Sequence, residues 1–409
     1  MSNILIVSHQ FVPHVSPRTT RWRLIVEELI SSGHNVTIVT GTQQTVQNNK
    51  YKIIFTGNSS TNSIVTTLRT QSNNIYSDNN FKVKFYKFLK IIYRFIVRNL
   101  AWPDYSMLWL ISVFKERRKY KLDYDLIISV SLPFSSHIAA YLINKKIKKP
   151  WIMDIGDPFS LKTSAPENNQ LLYGPLNRYY EKKFYKLANQ VLFTHEDVKK
   201  IHEKAFGIDS QKTIIGQPIS KFESSLYQKT KEYEYSENII KFGYFGIFTK
   251  GVRTPYNFNT FLDSFRNYEM HWYINQDSEK ILRKENFNTE KNFFYDQVSR
   301  EKALELMVTS FHCLVSVGNL NPNQIPSKVI EYIATGKPVV HFAEIETDPV
   351  GKIAEEFSNL FIIYKNTNVE LLKANLINYF ENISDFDVAQ FNKLYSASSL
   401  VKKLNNIKD

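Results

Sequence analysis

The sequence predicts an α/β chain built from two successive Rossmann-like α/β/α domains, and three observations carry this. Short apolar runs of strand length alternate with amphipathic helical runs along most of the chain. The alternation stops in a polar, charged stretch over 221–238 and starts afresh at Ile239–Phe245. Near the end, Ile325–Phe342 reads IPSKVIEYIATGKPVVHF, the grammar of loop, helix, turn and buried strand. A chain of 409 residues is long enough to form two such cores.

Taken in order, Ile4–Val7 reads as a buried strand and His9–Pro17 as a loop with two prolines. Arg18–Ser32 places Trp22, Leu24, Ile25, Leu29 and Ile30 at helical spacing, and Val36–Thr40 is the next strand. The unit lacks the glycines of a dinucleotide fingerprint, and no Asp or Glu occurs between Glu28 and Asp78 to hold a ribose, which argues against an NAD-dependent dehydrogenase. Residues 41–80 read as a polar loop containing a short strand, Lys52–Phe55. Strands are expected at Asp125–Val130, Pro150–Ile155 and Val191–Thr194. Helices are expected at Ile138–Ile143, Glu181–Asn189 and Glu196–Phe206.

Between these elements, Lys82–Lys121 holds eleven basic residues and two acidic ones, Asp104 and Glu116. Lys87, Lys90, Arg94 and Arg98 share one helical face, with Phe85, Phe88, Leu89, Ile92, Phe95 and Ile96 opposite. Such a face suits an anionic membrane surface, or else a packed helix with a solvated side.

In the second half, helices are expected at Phe258–Asn267 and at Val298–Met307, the latter with Ser299 as cap. His271–Ile274 and Cys313–Val317 read as strands. In the 325–342 unit, Pro326 fits the first turn of a helix and Ser327 can cap its amides. Gly336 then gives a left-handed stop and Pro338 prevents continuation. Glu331 falls about 6 Å along the axis from Ser327 at a rise of about 1.5 Å per residue. That is about the span from a pyrophosphate to the ribose hydroxyls of a nucleoside diphosphate, so a phosphate at the helix tip and a carboxylate on the ribose is one reading. An ordinary helix with an exposed glutamate is the other.

This unit resembles the nucleotide-sugar motif of family 4 glycosyltransferases, P-(S/T)-K-hydrophobic-x-E-Y-x-A-x-G-(K/R/T)-P-V-V. The resemblance covers nearly the whole chain and is strongest over 326–340. It implies the GT-B fold, two Rossmann-like domains facing each other across a cleft. It also implies transfer of a sugar from a nucleotide-diphosphate donor with retention and without metal. Glu331 would hold the ribose, with Pro326, Ser327, Lys328 and Val329 beside it. Asn323 stands where many members have a second glutamate. The loop Gly246–Arg253 resembles the second phosphate-binding loop, with Gly246, Lys250 and Arg253 as candidates and Ile247 where a basic residue is usual. SHQFVP…R…GHNVTIVT resembles the N-terminal start, which places His9, Ser16 and Arg18 at the acceptor, with Ser16-Pro17 where Gly-Gly is common. Ser131–His137 and Asp154–Phe159 resemble S-x-P-x-S-x-H and D-x-R-D-(L/P)-W of a polysaccharide-synthesis branch, with Gly156 and Phe159 replacing Arg and Trp. His137 and Asp157 are the catalytic candidates on that basis; His137 is equally a neighbour of a helix N-terminus, and Asp157 a structural residue. Asp154 and Asp157 have the wrong spacing for a metal-binding D-x-D.

The expected domains are 1–220 for the acceptor, 221–385 for the nucleotide-sugar, and 386–409 as a helix returning to the first domain. No cofactor or metal is expected. The expected partners are a nucleotide-sugar donor, a glycan or lipid-linked acceptor and an anionic inner-membrane surface, and not nucleic acid. A net charge of +13 fits anionic partners without choosing among them, and the single cysteine, Cys313, fits a reducing compartment. With no apolar run of about 18 residues and no signal-like start, the expectation is a cytoplasmic protein peripheral to the membrane. A sugar-nucleotide epimerase of the same fold, and a binding partner that has lost turnover, are the rival readings.

Overall fold

The computed structural model describes residues 1–14, 16–43, 50–57, 95, 99–116, 120, 123–162, 166–216, 218–232, 239–249, 252–253, 258–285, 290–322, 324–383 and 386–405. Lys87, Lys90, Arg94, Arg98, Lys250, Asn323 and most of the 41–80 loop lie outside them. The chain divides into two units, Met1–Gln217 and Pro218–Asp409.

In the first unit, β1 (Asn3–Val7), β2 (Asn35–Thr40), β3 (Lys52–Phe55), β4 (Leu126–Val130), β5 (Trp151–Ile155), β6 (Gln190–Phe193) and β7 (Thr213–Ile215) form a parallel sheet in the order β3-β2-β1-β4-β5-β6-β7. Its helices are α1 (Pro17–Ser31), α2 (Met107–Glu116), α3 (Ser135–Ile147), α4 (Gln170–Leu187) and α5 (Glu196–Phe206). Ile4 lies between Val36 and Leu126, so the strand order reverses direction at the β1–β4 junction. Strands β4 and β5 are buried along their whole length, which is why they read as unbroken apolar runs rather than alternating ones.

The second unit repeats the plan. Strands β8 (Ile240–Phe245), β9 (Tyr268–Tyr273), β10 (Asn292–Tyr295), β11 (Cys313–Val317), β12 (Val339–Phe342) and β13 (Leu360–Ile363) run parallel in the order β10-β9-β8-β11-β12-β13, reversing at β8–β11. Its helices are α6 (Ser224–Glu232), α7 (Phe258–Asp263), α8 (Gln276–Leu282), α9 (Arg300–Thr309), α10 (Ser327–Ile333), α11 (Val350–Ala354), α12 (Val369–Glu381), α13 (Val388–Tyr395) and α14 (Ala397–Asn405). Open parallel sheets bind ligands outside the strand carboxyl ends at such reversals, so each unit has one crevice to inspect.

Several elements differ from expectation, each for a local reason. Helix α3 starts at Ser135, earlier than Ile138, because the buried Asp104 carboxylate accepts from Ser135 N at 2.9 Å and Ser135 Oγ at 2.8 Å. Helix α4 starts at Gln170 because Asn169 caps the amides of Leu171 and Leu172. Its internal Pro175 forgoes a bond to the carbonyl of Leu171, a residue 97% exposed in the first turn of the helix. The 221–238 stretch is not all linker: it holds α6, whose Tyr227 ring sits where a β-carbon on Gly336 would go. Gly336 has φ +73°, so glycine is needed there on both counts. The segment expected as one helix over 387–407 is two, α13 and α14. Phe391 and Tyr395 of α13 pack with Phe357 and Val329 in the second unit's core.

Candidate functional site

In the first unit, two arginines of α1 reach the carboxyl ends of β4 and β5. Arg21 Nη1 donates to both oxygens of Asp154 at 2.8 and 2.7 Å, and Trp22 Nε1 adds a third bond at 2.7 Å, all buried. One turn earlier, Arg18 Nη2 lies 3.3 Å from Asp157 Oδ2, and its Nη1 donates to the carbonyl of Leu132. Both members of that pair are about a quarter exposed or less, 20% and 25%. A β-carbon on Gly156 would sit 3.7 Å from Arg18 Nε, so α1 brings a guanidinium to the place where the family pattern has an arginine in the loop itself. The two aspartates are thus matched to separate arginines rather than paired as metal ligands.

The other first-unit candidates are His9, Ser16 and His137. Ser16 caps α1 by accepting from Thr19 N in a reciprocal capping box. His9 packs edge-on against Tyr105 and Trp109, and its amide donates to Ser136 Oγ at 3.1 Å. Burial, aided by the nearby His14, pushes its pKa down to about 4. His137 is wholly buried, with Nδ1 2.7 Å from Ser129 Oγ, and burial with the charge of Arg18 takes it down to about 3. Trp151 Nε1 donates to the same Ser129 oxygen, so the hydroxyl proton is available to His137 Nδ1. Of the two readings of His137, this burial supports the neighbour of a helix N-terminus. Asp157 remains accessible, and its loop is fixed from behind: the buried Glu181 accepts from Ser160 N at 3.1 Å and Tyr185 OH at 2.7 Å.

In the second unit, Glu331 accepts from Arg300 Nε and Nη2, both at 2.9 Å to Oε1, and from Lys328 Nζ at 2.5 Å to Oε2. Burial raises its pKa, but the two cations outweigh burial and hold the carboxyl below the ordinary glutamate value. Its side chain is 12% exposed and so still reachable. Across the β8–β11 reversal, Arg253 donates through Nε and Nη2 to Asn319 Oδ1 at 3.2 and 2.8 Å. Leu320 N donates to Val252 O at 2.8 Å, which stitches the loop after β8 to the loop after β11. Tyr332, next to Glu331 on α10, reaches the end of β8 through its buried phenol, which donates to Phe245 O at 3.0 Å.

Pro326 is the N-cap residue of α10, Ser327 is its first helical residue, and no side chain caps the helix. This corrects the expectation that Ser327 is the cap. With seven residues, α10 is a short helix whose dipole alone makes no phosphate site. Val329 is buried in the core and its amide donates to Pro326 O, so it anchors the helix. The amide of Gly246 donates to Tyr273 O at 3.2 Å and is likewise engaged. Lys250 and Asn323 lie outside the described residues. Sequence reasoning missed Arg300 and Asn319. Arg300 directly follows the helix cap Ser299, and Asn319 lies in the polar turn after a buried strand, but neither position advertises a partner.

No protein-family model and no curated protein matches the sequence. Solved structures match the fold. Anabaena Alr3699/HepE, determined in complex with UDP and glucose, superposes with a TM-score of 0.59 at 10% identity, covering 99% of each chain. The lipopolysaccharide outer core galactosyltransferase WaaB, in its apo form, gives a TM-score of 0.57 at 12% identity over 100% of this chain and 99% of the other. UDP-GlcNAc 2-epimerase from Methanocaldococcus jannaschii gives 0.52 at 11% identity over 99% of each. Two all-parallel α/β units of seven and six strands, matched end to end by these proteins, give this chain the GT-B fold.

Proposed function

We propose that this protein is a glycosyltransferase that moves a sugar from a nucleoside-diphosphate donor to a glycan or lipid-linked acceptor, as a retaining, metal-independent member of the family 4 type. The carrying observation is Glu331, kept ionised by Arg300 and Lys328. Oε1 accepts twice from Arg300, whereas Oε2 accepts once from Lys328 and keeps lone-pair capacity for a ribose hydroxyl. Arg253, braced by Asn319, meets the diphosphate and offsets the charge that develops as the leaving group departs. Asp157, set by Arg18, is assigned to the reacting sugar or the acceptor. The likeness to WaaB and to HepE bound to UDP and glucose supports this reading.

A thermal-shift panel of UDP-, GDP-, ADP- and dTDP-linked sugars tests it. One donor stabilises the chain by about 2.7 kcal/mol at a hundredfold excess over Kd. Sugar should then pass from that donor to a crude lipid-linked acceptor. Absence of stabilisation by every donor overturns the proposal. The likeness to the 2-epimerase favours a second reading, which conversion of a UDP-sugar to its epimer without acceptor would establish.

The setting proposed for the reaction is cell-surface polysaccharide synthesis at an anionic membrane face. Among the described residues, no helix is long and apolar enough to cross a membrane. The first unit does present an apolar patch: Asn99 accepts from Asn169 and the Leu100 carbonyl from Tyr173, which sets Leu100 against the start of α4. Leu100, Leu171 and Leu172 are 68%, 97% and 60% exposed there. The preceding sequence carries Lys87, Lys90, Arg94 and Arg98, each contributing about 1 kcal/mol near an anionic bilayer. In liposome flotation, wild type should rise with anionic vesicles, less so at high salt. Replacing Leu171 and Leu172 by Asn, or the four basic residues by Glu, should abolish this. Equal flotation of all three proteins removes the membrane assignment and leaves the transferase reading intact.

A further inference from the structure

We infer that Asp348, held by His341 and Ser316 and acting through Gly318 and Asn319, is a positioning residue for Arg253; this rests on the nucleotide site proposed above. Ser316 on β11 and His341 on β12 are register partners, and Asp348 precedes α11. Ser316 Oγ lies 3.1 Å from His341 Nδ1, and His341 Nε2 lies 3.1 Å from Asp348 Oδ2. The order Ser–His–Asp is that of a nucleophile, its base and an orienting acid. Yet the three residues are 3%, 0% and 5% exposed, so no substrate reaches the hydroxyl and the string works as a brace. Asp348 is held at its other end too, because its Oδ1 accepts from Val350 N at 2.9 Å and its carbonyl from Gly351 N at 3.0 Å.

What the brace supports is Gly318. This residue leaves β11 with its N–H donating to Phe342 O at 2.8 Å. A β-carbon on it would overlap Asp348 Oδ2 and would lie 3.2 Å from both Phe342 O and Glu344 N. The backbone therefore rests directly against the carboxylate, a close approach only glycine permits. The next residue, Asn319, is 3% exposed and provides the oxygen that receives Arg253. The seat of Gly318 sets Asn319, and Asn319 sets the guanidinium.

Calorimetric affinities for UDP and UMP separate this from a merely structural role, because UMP reads the ribose contact while the UDP-to-UMP ratio reads the cation facing the second phosphate. Asp348→Ala should lower that ratio about tenfold, the worth of one charge-assisted hydrogen bond, with UMP affinity unchanged. Gly318→Ala should do the same. The double variant should lose no more than either single one, because removing the carboxylate makes room for the new methyl. Should Asp348→Ala fail to fold, Gly318→Ala alone carries the test, by the same loss in the ratio. A wild-type preference for UDP that survives unchanged in the variants, or additive losses in the double variant, overturns the inference. A wild type that binds UDP no better than UMP overturns the site reading itself.

Discussion

Glu331→Ala should weaken nucleoside-diphosphate binding about 10- to 150-fold while leaving the chain folded, because a charge-assisted hydrogen bond to the ribose is worth about 1.5–3 kcal/mol. The sign of the effect is diagnostic. Removing Glu331 frees Arg300 and Lys328, which it now neutralises. If Glu331 were only a structural partner of those cations, their release would leave affinity for an anionic ligand unchanged or raise it. If it holds the ribose, affinity falls despite the added positive charge. The fold should tolerate the change because the side chains of Arg300 and Lys328 are 26% and 35% exposed and can hydrate. Calorimetry with UDP on the folded variant decides between the two, and unchanged or tighter binding ends the ribose assignment.

The strands of this fold were legible because a sheet covered on both faces requires continuous apolar runs. Val315 and Val340 are such residues, register partners in neighbouring buried strands. The helix stop at Gly336 was legible for a similar reason, since a positive φ leaves few alternatives to glycine. The edge strand β10, Asn292–Tyr295, carries no such signal: Phe293 and Tyr295 are partly exposed and the run sits among polar residues. The site was half legible. Glu331 follows from helical spacing and a familiar motif, but Arg300 reaches it from a different helix, and only tertiary structure brings them together. His137 is the opposite case. A histidine beside serines after a strand looks the same in sequence whether it faces a crevice or the core, and here it faces the core. Asp104 is one of two acidic residues in the basic stretch, where a solvated carboxylate is the ordinary state. Its carboxylate is instead buried under four hydrogen bonds from Ser106 and Ser135, and burial raises its pKa while those bonds lower it in part.

Asp154→Ala should destabilise the first unit by about 3–5 kcal/mol, because it strands the buried guanidinium of Arg21 without its counter-charge. The side chains of Arg21 and Asp154 are 8% and 1% exposed, so water cannot take over the role of the carboxylate. Trp22 Nε1 loses its acceptor in the same stroke. The comparison that isolates the mechanism is Asp157→Ala. That carboxylate pairs with Arg18 in the same way, but at 25% exposure beside a partner at 20%, and a hydrated pair of this kind is worth at most about 1 kcal/mol. Guanidinium unfolding of the full chain should show the first unit's transition moving to clearly lower denaturant for Asp154→Ala and barely moving for Asp157→Ala, with the second unit's transition fixed in both. Sugar transfer should respond in reverse order: Asp157→Ala loses activity in a stable protein, whereas Asp154→Ala keeps activity wherever it remains folded. Equal destabilisation by the two variants, or loss of transfer in folded Asp154→Ala alone, would show that the buried aspartate and the accessible one have been assigned the wrong way round.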